Sequence, residues 1–458
     1  MNVAIVGAGW AGLAAAVEAV RAGHRVTVFE AARTVGGRAR AVPATLADGR
    51  AVTLDNGQHI LIGAYSETLR LMREVGVDVD AALLRTPLAL VFPDGRGLRF
   101  ARLPAPLDAL AGILGARGWS WRDKASLLGA ALGWQRAGFD CPAQRSVAEL
   151  CAALTPRVRQ EMIEPLCVSA LNTPAAQASG RVFLRVLRDA MFGASGGSHL
   201  LLPRTDLGRL FPEAAADWLG ARGGRVVPGR RVEGIAPVAQ GWTVDGESFD
   251  QVVLACPPGE AARLVETSGL AAPPRPRGKQ DDEPMPPDVA AALPGKATRV
   301  PGPLASGARA WCWQARALRF EAIATIYLEG GHRLPAPMLA LRATPEAPAQ
   351  FVFDRAWLGD PAGLWTLVVS ASASERAILE AQVCAQATAQ LGCLRPRVAL
   401  TVVEKRATFA CTPGLARPAA RIAPGLSACG DYIDGPYPAT LEGAVRSGVA
   451  VLSINGGS

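Results

Sequence analysis

The segment from Met1 to Glu30 constrains this chain more than any other part of it. Asn2-Val3-Ala4-Ile5-Val6 is a short β-branched run ending in Gly7-Ala8-Gly9-Trp10-Ala11-Gly12. Leu13 to Arg21 then reads as a helix closed by Gly23, and His24 to Phe29 as a second strand with Glu30 at its end. This is G-x-G-x-x-G in a strand–turn–helix–strand context. Gly7 permits the tight turn, Gly9 lets the backbone approach a pyrophosphate, and Gly12 allows close helix–strand packing. Trp10 and Ala11 open the helix whose amino terminus faces the phosphates, and Glu30 is placed to accept hydrogen bonds from a ribose diol. An ordinary glycine-rich turn needs neither the flanking elements nor the acid. The pattern predicts a Rossmann-like α/β dinucleotide site without separating NAD from FAD.

The chain has 458 residues, half of them apolar, with 48 Lys and Arg against 40 Asp and Glu. That excludes a disordered chain, a fibre or a single small module, and gives material for two or three folding units. The nine cysteines are an odd number with no C-x-x-C pair, so neither a disulfide framework nor a metal site is indicated and a reducing, cytoplasmic compartment is expected. Glu18 and Arg21 interrupt the apolar start, and no basic stretch precedes it, so it reads as fold rather than signal peptide. No apolar run reaches the length of a membrane span, which leaves peripheral contact as the expected relation to a membrane. The bases are dispersed, with no basic strip interleaved with aromatics, so nucleic acid is not an expected partner.

Val35-Gly36-Gly37-Arg38-Ala39-Arg40 follows the acid almost at once, where an NAD dehydrogenase would start its next helix. Gly36, Gly37 and Arg38 offer backbone N–H groups and charge to an extended pyrophosphate. Here the sequence resembles the flavin-containing amine oxidase and phytoene desaturase superfamily, which implies FAD. Near the other end, Cys429-Gly430-Asp431 closes a short strand, and Pro438-Ala439-Thr440 leads into the helix Leu441-Glu442-Gly443-Ala444-Val445-Arg446-Ser447-Gly448. By the same resemblance, Gly430 and Asp431 contact the ribityl chain, and the helix begun at Ala439 and Thr440 caps the flavin ring. Between these ends, Gly224 to Val227 and Arg231 to Ile235 alternate like strands, Gly241 to Gly246 reads as a hairpin, and Phe249 to Pro258 as a buried strand. The resemblance makes the backbone of Val232 an adenine contact; composition alone makes it core.

Leu54-Asp55-Asn56-Gly57-Gln58-His59-Ile60, together with Leu200-Leu201-Leu202-Pro203-Arg204 and the Pro-Ala-Thr-Leu-Glu-Gly-Ala ending, is similar to the squalene-associated FAD-dependent desaturases, or hydroxysqualene dehydroxylases. That subgroup serves squalene and hopanoid synthesis in bacteria. The resemblance implies reductive dehydroxylation of hydroxysqualene to squalene, a long isoprenoid as substrate, and an electron donor that the sequence does not name. Gln58 and His59 are the catalytic candidates: His59 is either the acid that protonates the departing hydroxyl or a structural histidine. Trp311, Trp313 and Trp365 are candidate aromatic faces for an electron-poor centre, against the plainer reading of core packing. Three alternatives remain beside this one: a carotenoid-type desaturase running the flavin oxidatively, an amine oxidase, and a prenyl-lipid carrier of the same fold. A cage around an amine is disfavoured by a total of four tyrosines.

The expected architecture is a discontinuous FAD-binding domain from residues 1–76, 202–272 and 407–458. A mixed α/β substrate domain comes from 77–201 and 307–406, and 273–306 is a Pro-rich mobile insertion. Helices are expected mainly between Leu83 and Leu200. Strands are expected from Leu318 to Leu328 and between Gln350 and Ser370. Residues 103–134 interleave leucines and tryptophans with Arg117, Arg122 and Lys124, either an interfacial helix pair on the inner face of a bacterial membrane or an ordinary helical cap.

Overall fold

Apolar strands from the two ends and the middle of the chain meet in one sheet. Its order is Arg225–Pro228, Arg25–Glu30, Asn2–Val6, Gln251–Leu254, Leu426–Ala428 and Arg421–Ala423, with the first five parallel and the last antiparallel. The computed structural model describes residues 1–192, 196–270, 306–372 and 374–452. Val3, Ala4, Ile5, Val252, Val253 and Leu254 are wholly buried, as central strands covered on both faces require. Helix Trp10–Arg21 presents a line of alanines, and helix Leu441–Ala450 lies against it. Their approach is close enough that a Cβ at Gly448 would stand 2.2 Å from the Ala11 carbonyl oxygen.

A second, antiparallel sheet runs Met338–Ala340, Phe351–Asp354, Trp365–Ser370, Phe320–Glu329 and Arg397–Phe409. Side chains alternate across it. Ala324, Ile326, Val352, Leu367 and Val369 pack on Leu379, Val383 and Ala387 of helix Arg376–Leu391. Their neighbours Ile323, Phe351, Phe353 and Val368 face a cavity that also borders the parallel sheet.

The fold is α/β, as the sequence implied, with local differences. Arg231 to Glu233 form no strand, because side chains take the place of a ladder. Asp245 Oδ1 accepts the N–H groups of Glu233 (3.0 Å) and Gly234 (2.9 Å), while Arg263 donates to the carbonyls of Val232 (3.0 Å) and Glu233 (2.9 Å). Pairing starts only at Ile235–Pro237. The stretch from Gln350 to Ser370 is two strands separated by a 3-10 turn, Arg355–Trp357, with the Asp354 carboxylate accepting from Ala356 N at 3.1 Å. Helices Leu107–Leu114, Trp121–Arg136, Glu164–Leu171 and Gly180–Phe192 are the longest elements of the expected helical region. Short strands Leu83–Thr86, Ala89–Val91 and Gly97–Arg99 precede them. Apart from Ser306, the expected insertion lies outside the described residues.

Candidate active site

The carboxyl ends of the central parallel strands open onto a cavity of about 1020 Å³, the place where open α/β sheets bind ligands. Each glycine of the first turn meets a different constraint. Gly7 has φ +116°, and a Cβ there would lie 2.6 Å from the Ala255 carbonyl oxygen. At Gly12 a Cβ would lie 2.0 Å from the Gly7 oxygen, whereas at Gly9 it would meet nothing within 4 Å. Gly7 and Gly12 are therefore held by their own fold, and Gly9 borders open space. Gly36 donates its N–H to the Ala8 carbonyl at 2.8 Å, which seats the second glycine loop on the first. The Glu30 carboxylate lines the cavity and accepts from Ala8 N (2.7 Å) and Ala32 N (2.8 Å).

The two distant half-signatures meet in one ion pair. Arg38 Nη2 lies 2.5 Å from Asp431 Oδ1, and Arg38 Nη1 donates to the Ala407 carbonyl at 2.8 Å. Burial works against the guanidinium charge, but the adjacent Asp431 carboxylate outweighs it and holds Arg38 above its ordinary value. Asn56, whose role the sequence did not reveal, pins the same loop. Its Nδ2 donates to the Arg38 carbonyl (2.8 Å) and its Oδ1 accepts from Arg40 N (3.0 Å). Opposite them, Gly430 N donates to Ser447 Oγ at 2.8 Å, and Thr440 Oγ1 caps the last helix by accepting from Gly443 N at 2.9 Å. Ala439, with φ +57°, turns the chain into that helix. Trp10, Ala11, Gly37, Val232, Ala439 and Thr440 all line the cavity, whereas Gly12 lies behind its wall. Val232 has its carbonyl taken by Arg263, which leaves the N–H as the backbone group that can meet a ligand.

Gln58 and His59 line the same space. Arg355, itself buried, donates through Nη1 to Gln58 Oε1 at 3.0 Å and is held from behind by Asp360 at 2.6 Å. The Gly57 carbonyl can only accept, so His59 Nδ1, 2.9 Å away, is the donor and Nε2 is the ring atom left for a ligand. Burial is the main cause that pushes the His59 pKa below its ordinary value; the Gly57 hydrogen bond opposes this and the Arg38 charge adds to it. Behind them the buried Asp55 carboxyl is pushed up to about 7 by burial, although Oδ1 accepts from Leu207 N at 2.8 Å. The tryptophans proposed for an electron-poor centre do not reach the cavity. Trp311 and Trp365 are core, with indole N–H groups on the carbonyls of Ala419 (2.8 Å) and His332 (3.0 Å).

The remaining walls are apolar. Leu88, Leu90 and Phe100 close one side, Met162, Leu166, Val186 and Met191 a second, and the face of the antiparallel sheet a third. The polar end suits a bound dinucleotide on two further counts: the open space before Gly9, and the buried hydroxyl of Tyr432, a cavity-lining residue, which has no hydrogen-bond partner among the described residues.

Residues 10–451 match the model of the flavin containing amine oxidoreductases. The chain belongs to that family. Its cofactor class is accordingly a flavin, and its reaction class is oxidation and reduction. Among family relatives it is 26% identical to the hydroxysqualene dehydroxylase of Rhodopseudomonas palustris, over 98% of this chain and 96% of the other. To the zeta-carotene desaturase of Synechocystis it is 38% identical, over 21% of this chain and 19% of the other. The crystal structure of an oxidoreductase from Methanosarcina mazei superposes with a TM-score of 0.68 at 17% identity, covering 99% of this chain and 100% of that one. That likeness shows the family fold. No helix among the described residues is long and apolar enough to cross a membrane.

Proposed function

We propose that the chain is an FAD-dependent hydroxysqualene dehydroxylase, converting hydroxysqualene reductively to squalene at the membrane surface. In this reading residues 1–76, 202–272 and 407–458 serve the cofactor, and 77–201 with 307–406 the substrate. The observation that carries it is the continuity of one cavity from the glycine loops to walls of Leu, Met, Phe and Val, a shape for a long apolar chain reaching a polar end. Similarity to the dehydroxylase spans both parts of that cavity, whereas the desaturase match covers a fifth of the chain.

Gly9, Gly37, Arg38 and the helix Trp10–Arg21 would hold the pyrophosphate, Glu30 the adenosine ribose, Val232 the adenine, and Gly430 and Asp431 the ribityl chain. Ala439 and Thr440 would set the flavin ring at the amino terminus of the last helix. When bound and reduced, FAD supplies a hydride. The protein's own part is to exclude water with its apolar walls, align the allylic carbon, and give the departing hydroxyl a proton from His59 Nε2. The hydroxyl then leaves as water while its carbon gains hydrogen. Gln58, fixed by Arg355, would orient the hydroxyl. Three of the four tyrosines, Tyr65, Tyr432 and Tyr437, line the cavity, so scarcity of tyrosine no longer argues against an amine substrate. The aliphatic walls do.

Anaerobic single turnover tests the reading. Enzyme reduced with deuterium at flavin N5 is expected to reoxidise on hydroxysqualene and to leave deuterium on the carbon that lost oxygen. Reduction of the oxidised enzyme by a less unsaturated polyene, or by an amine, would reject it in favour of a desaturase or an amine oxidase. Lipid binding without redox change would reject it in favour of a carrier. A second expectation concerns Glu30→Ala, which removes a charge-assisted ribose bond and weakens FAD binding by about 1.5–3 kcal/mol. Flavin absorbance after dialysis checks it; equal retention in wild type and variant would refute the role of Glu30.

A further inference from the structure

We propose that helices Leu107–Leu114 and Trp121–Arg136 form a docking face for an anionic lipid bilayer, and that the isoprenoid enters the cavity from the bilayer beside them. Docking stands on the structure alone; the entry step rests on the function proposed above.

The first helix buries Ala109 and Ile113 yet also turns leucines outward and its acid inward. Leu107, Leu110 and Leu114, at helical spacing, are 53%, 40% and 43% exposed, whereas its one acid, Asp108, is buried and accepts from Ser198 Oγ at 3.0 Å. With Leu103, Trp121 and Leu132, this region holds six of the eleven exposed large apolar side chains among the described residues. Trp121 is 74% exposed. The other acid of the pair, Asp123, is also turned inward, accepting from Ser120 Oγ (2.7 Å) and Thr155 Oγ1 (2.6 Å). The bases point the other way. Arg102, Arg117, Arg122 and Arg136 are exposed, and none is paired with a carboxylate among the described residues. Lys124 lies over the Trp121 ring at 4.9 Å.

The outer face thus carries leucine, tryptophan and bases, with both acids withdrawn. Apolar side chains inserted below the headgroups and bases at the phosphate level fit a bilayer surface of negative charge. A second copy of the same face would set bases against bases, which argues against self-association. The inner side of the same helix reaches the cavity wall. Gly112 lies so close to Phe100 that a Cβ would stand 3.0 Å from its ring, and Asp108 holds Ser198; Phe100 and Ser198 both line the cavity. One layer of side chains separates the proposed bilayer contact from the apolar chamber, which makes this the short route for a water-insoluble chain.

Cosedimentation of the full chain with vesicles tests docking. The wild type is expected to pellet with phosphatidylglycerol-containing vesicles and less with pure phosphatidylcholine, and salt should weaken the first. Leu110→Ser with Trp121→Ser should lower the bound fraction about tenfold, and Arg117→Gln with Arg122→Gln should remove the preference for phosphatidylglycerol. All these side chains are exposed, so an unchanged unfolding midpoint is expected and certifies each variant. A wild type that stays in the supernatant, or variants that pellet equally, would overturn the docking face. So would self-association abolished by Trp121→Ser in sedimentation velocity, which would assign the face to a second copy. For entry, the Leu110/Trp121 variant should convert hydroxysqualene about tenfold more slowly from vesicles and at the wild-type rate from detergent micelles. Equal rates from vesicles, or equal slowing in both, would overturn the route. Vesicle binding by an enzyme that converts hydroxysqualene in neither medium would sink the proposed function and leave the docking face standing.

Discussion

Replacing Glu442 by alanine lowers the unfolding free energy by about 3–5 kcal/mol and leaves the protein with less bound flavin. Glu442 is wholly buried. Its carboxylate accepts from the N–H groups of Glu67 (3.1 Å) and Thr68 (3.0 Å), from Thr68 Oγ1 (2.7 Å), and from Arg446 Nε (2.7 Å). Helix Ser66–Glu74 has no side-chain cap of its own, since Tyr65 occupies the cap position. Glu442 supplies that cap from a helix 374 residues away. Alanine would strand buried donors and unpair Arg446, the situation in which removing one partner costs most. The loss extends to the cavity because Ala439, Thr440, Leu441 and Ala444, at the same helix end, line it. Glu442→Gln keeps the shape and one good acceptor, so a smaller loss is expected. Denaturant titration, with flavin absorbance followed in the same samples, measures both effects. Loss of flavin at unchanged stability would contradict the clip and give Glu442 a direct cofactor role.

What could be read from the sequence divides by range. The turn Gly7 to Gly12 and the strands around it are governed by neighbours within a few residues, and their glycines meet the constraints that spacing implied. The parallel sheet was legible because its central strands, Asn2–Val6 and Gln251–Leu254, are almost continuous apolar runs. Pairings across hundreds of residues were not legible. Arg38 and Asp431 each stood in a recognisable block, but nothing in either block showed that they form one ion pair. Glu442 read as part of a helix over the flavin, and its role as a cap for another helix depends on a tertiary approach that spacing does not encode. The stretch Arg231 to Ile235 misled for the converse reason. Its alternation is that of a strand, but Asp245 and Arg263 satisfy its backbone first. The tryptophans misled too: as large apolar residues with one polar atom, Trp311 and Trp365 found carbonyl partners in the core rather than a substrate.

Replacing His59 by alanine slows single-turnover dehydroxylation about 10²-fold while FAD remains bound, if Nε2 is the proton source. The geometry fixes which atom acts. Nδ1 is committed to the Gly57 carbonyl, so one ring nitrogen faces the cavity and needs the protonated ring in order to donate. Burial, reinforced by the Arg38 charge, lowers the pKa from the ordinary 6.5. Near neutrality the acid form is then the minor one, and it is a stronger acid than an exposed histidine. The sign follows. The wild-type rate should rise as pH falls through the His59 pKa, level off below it, and decline on the alkaline side from a point under 6.5. His59→Ala should lose that limb as well as the rate, because the group whose titration produces it is gone. Rapid-mixing measurements of flavin reoxidation across that range, with reduced enzyme and excess hydroxysqualene, read both features. A variant that keeps the wild-type pH profile at a lower rate would show that His59 only shapes the cavity. The proton would then come from elsewhere, and the Asp55 carboxyl, raised to about 7 behind the same turn, would become the group to test.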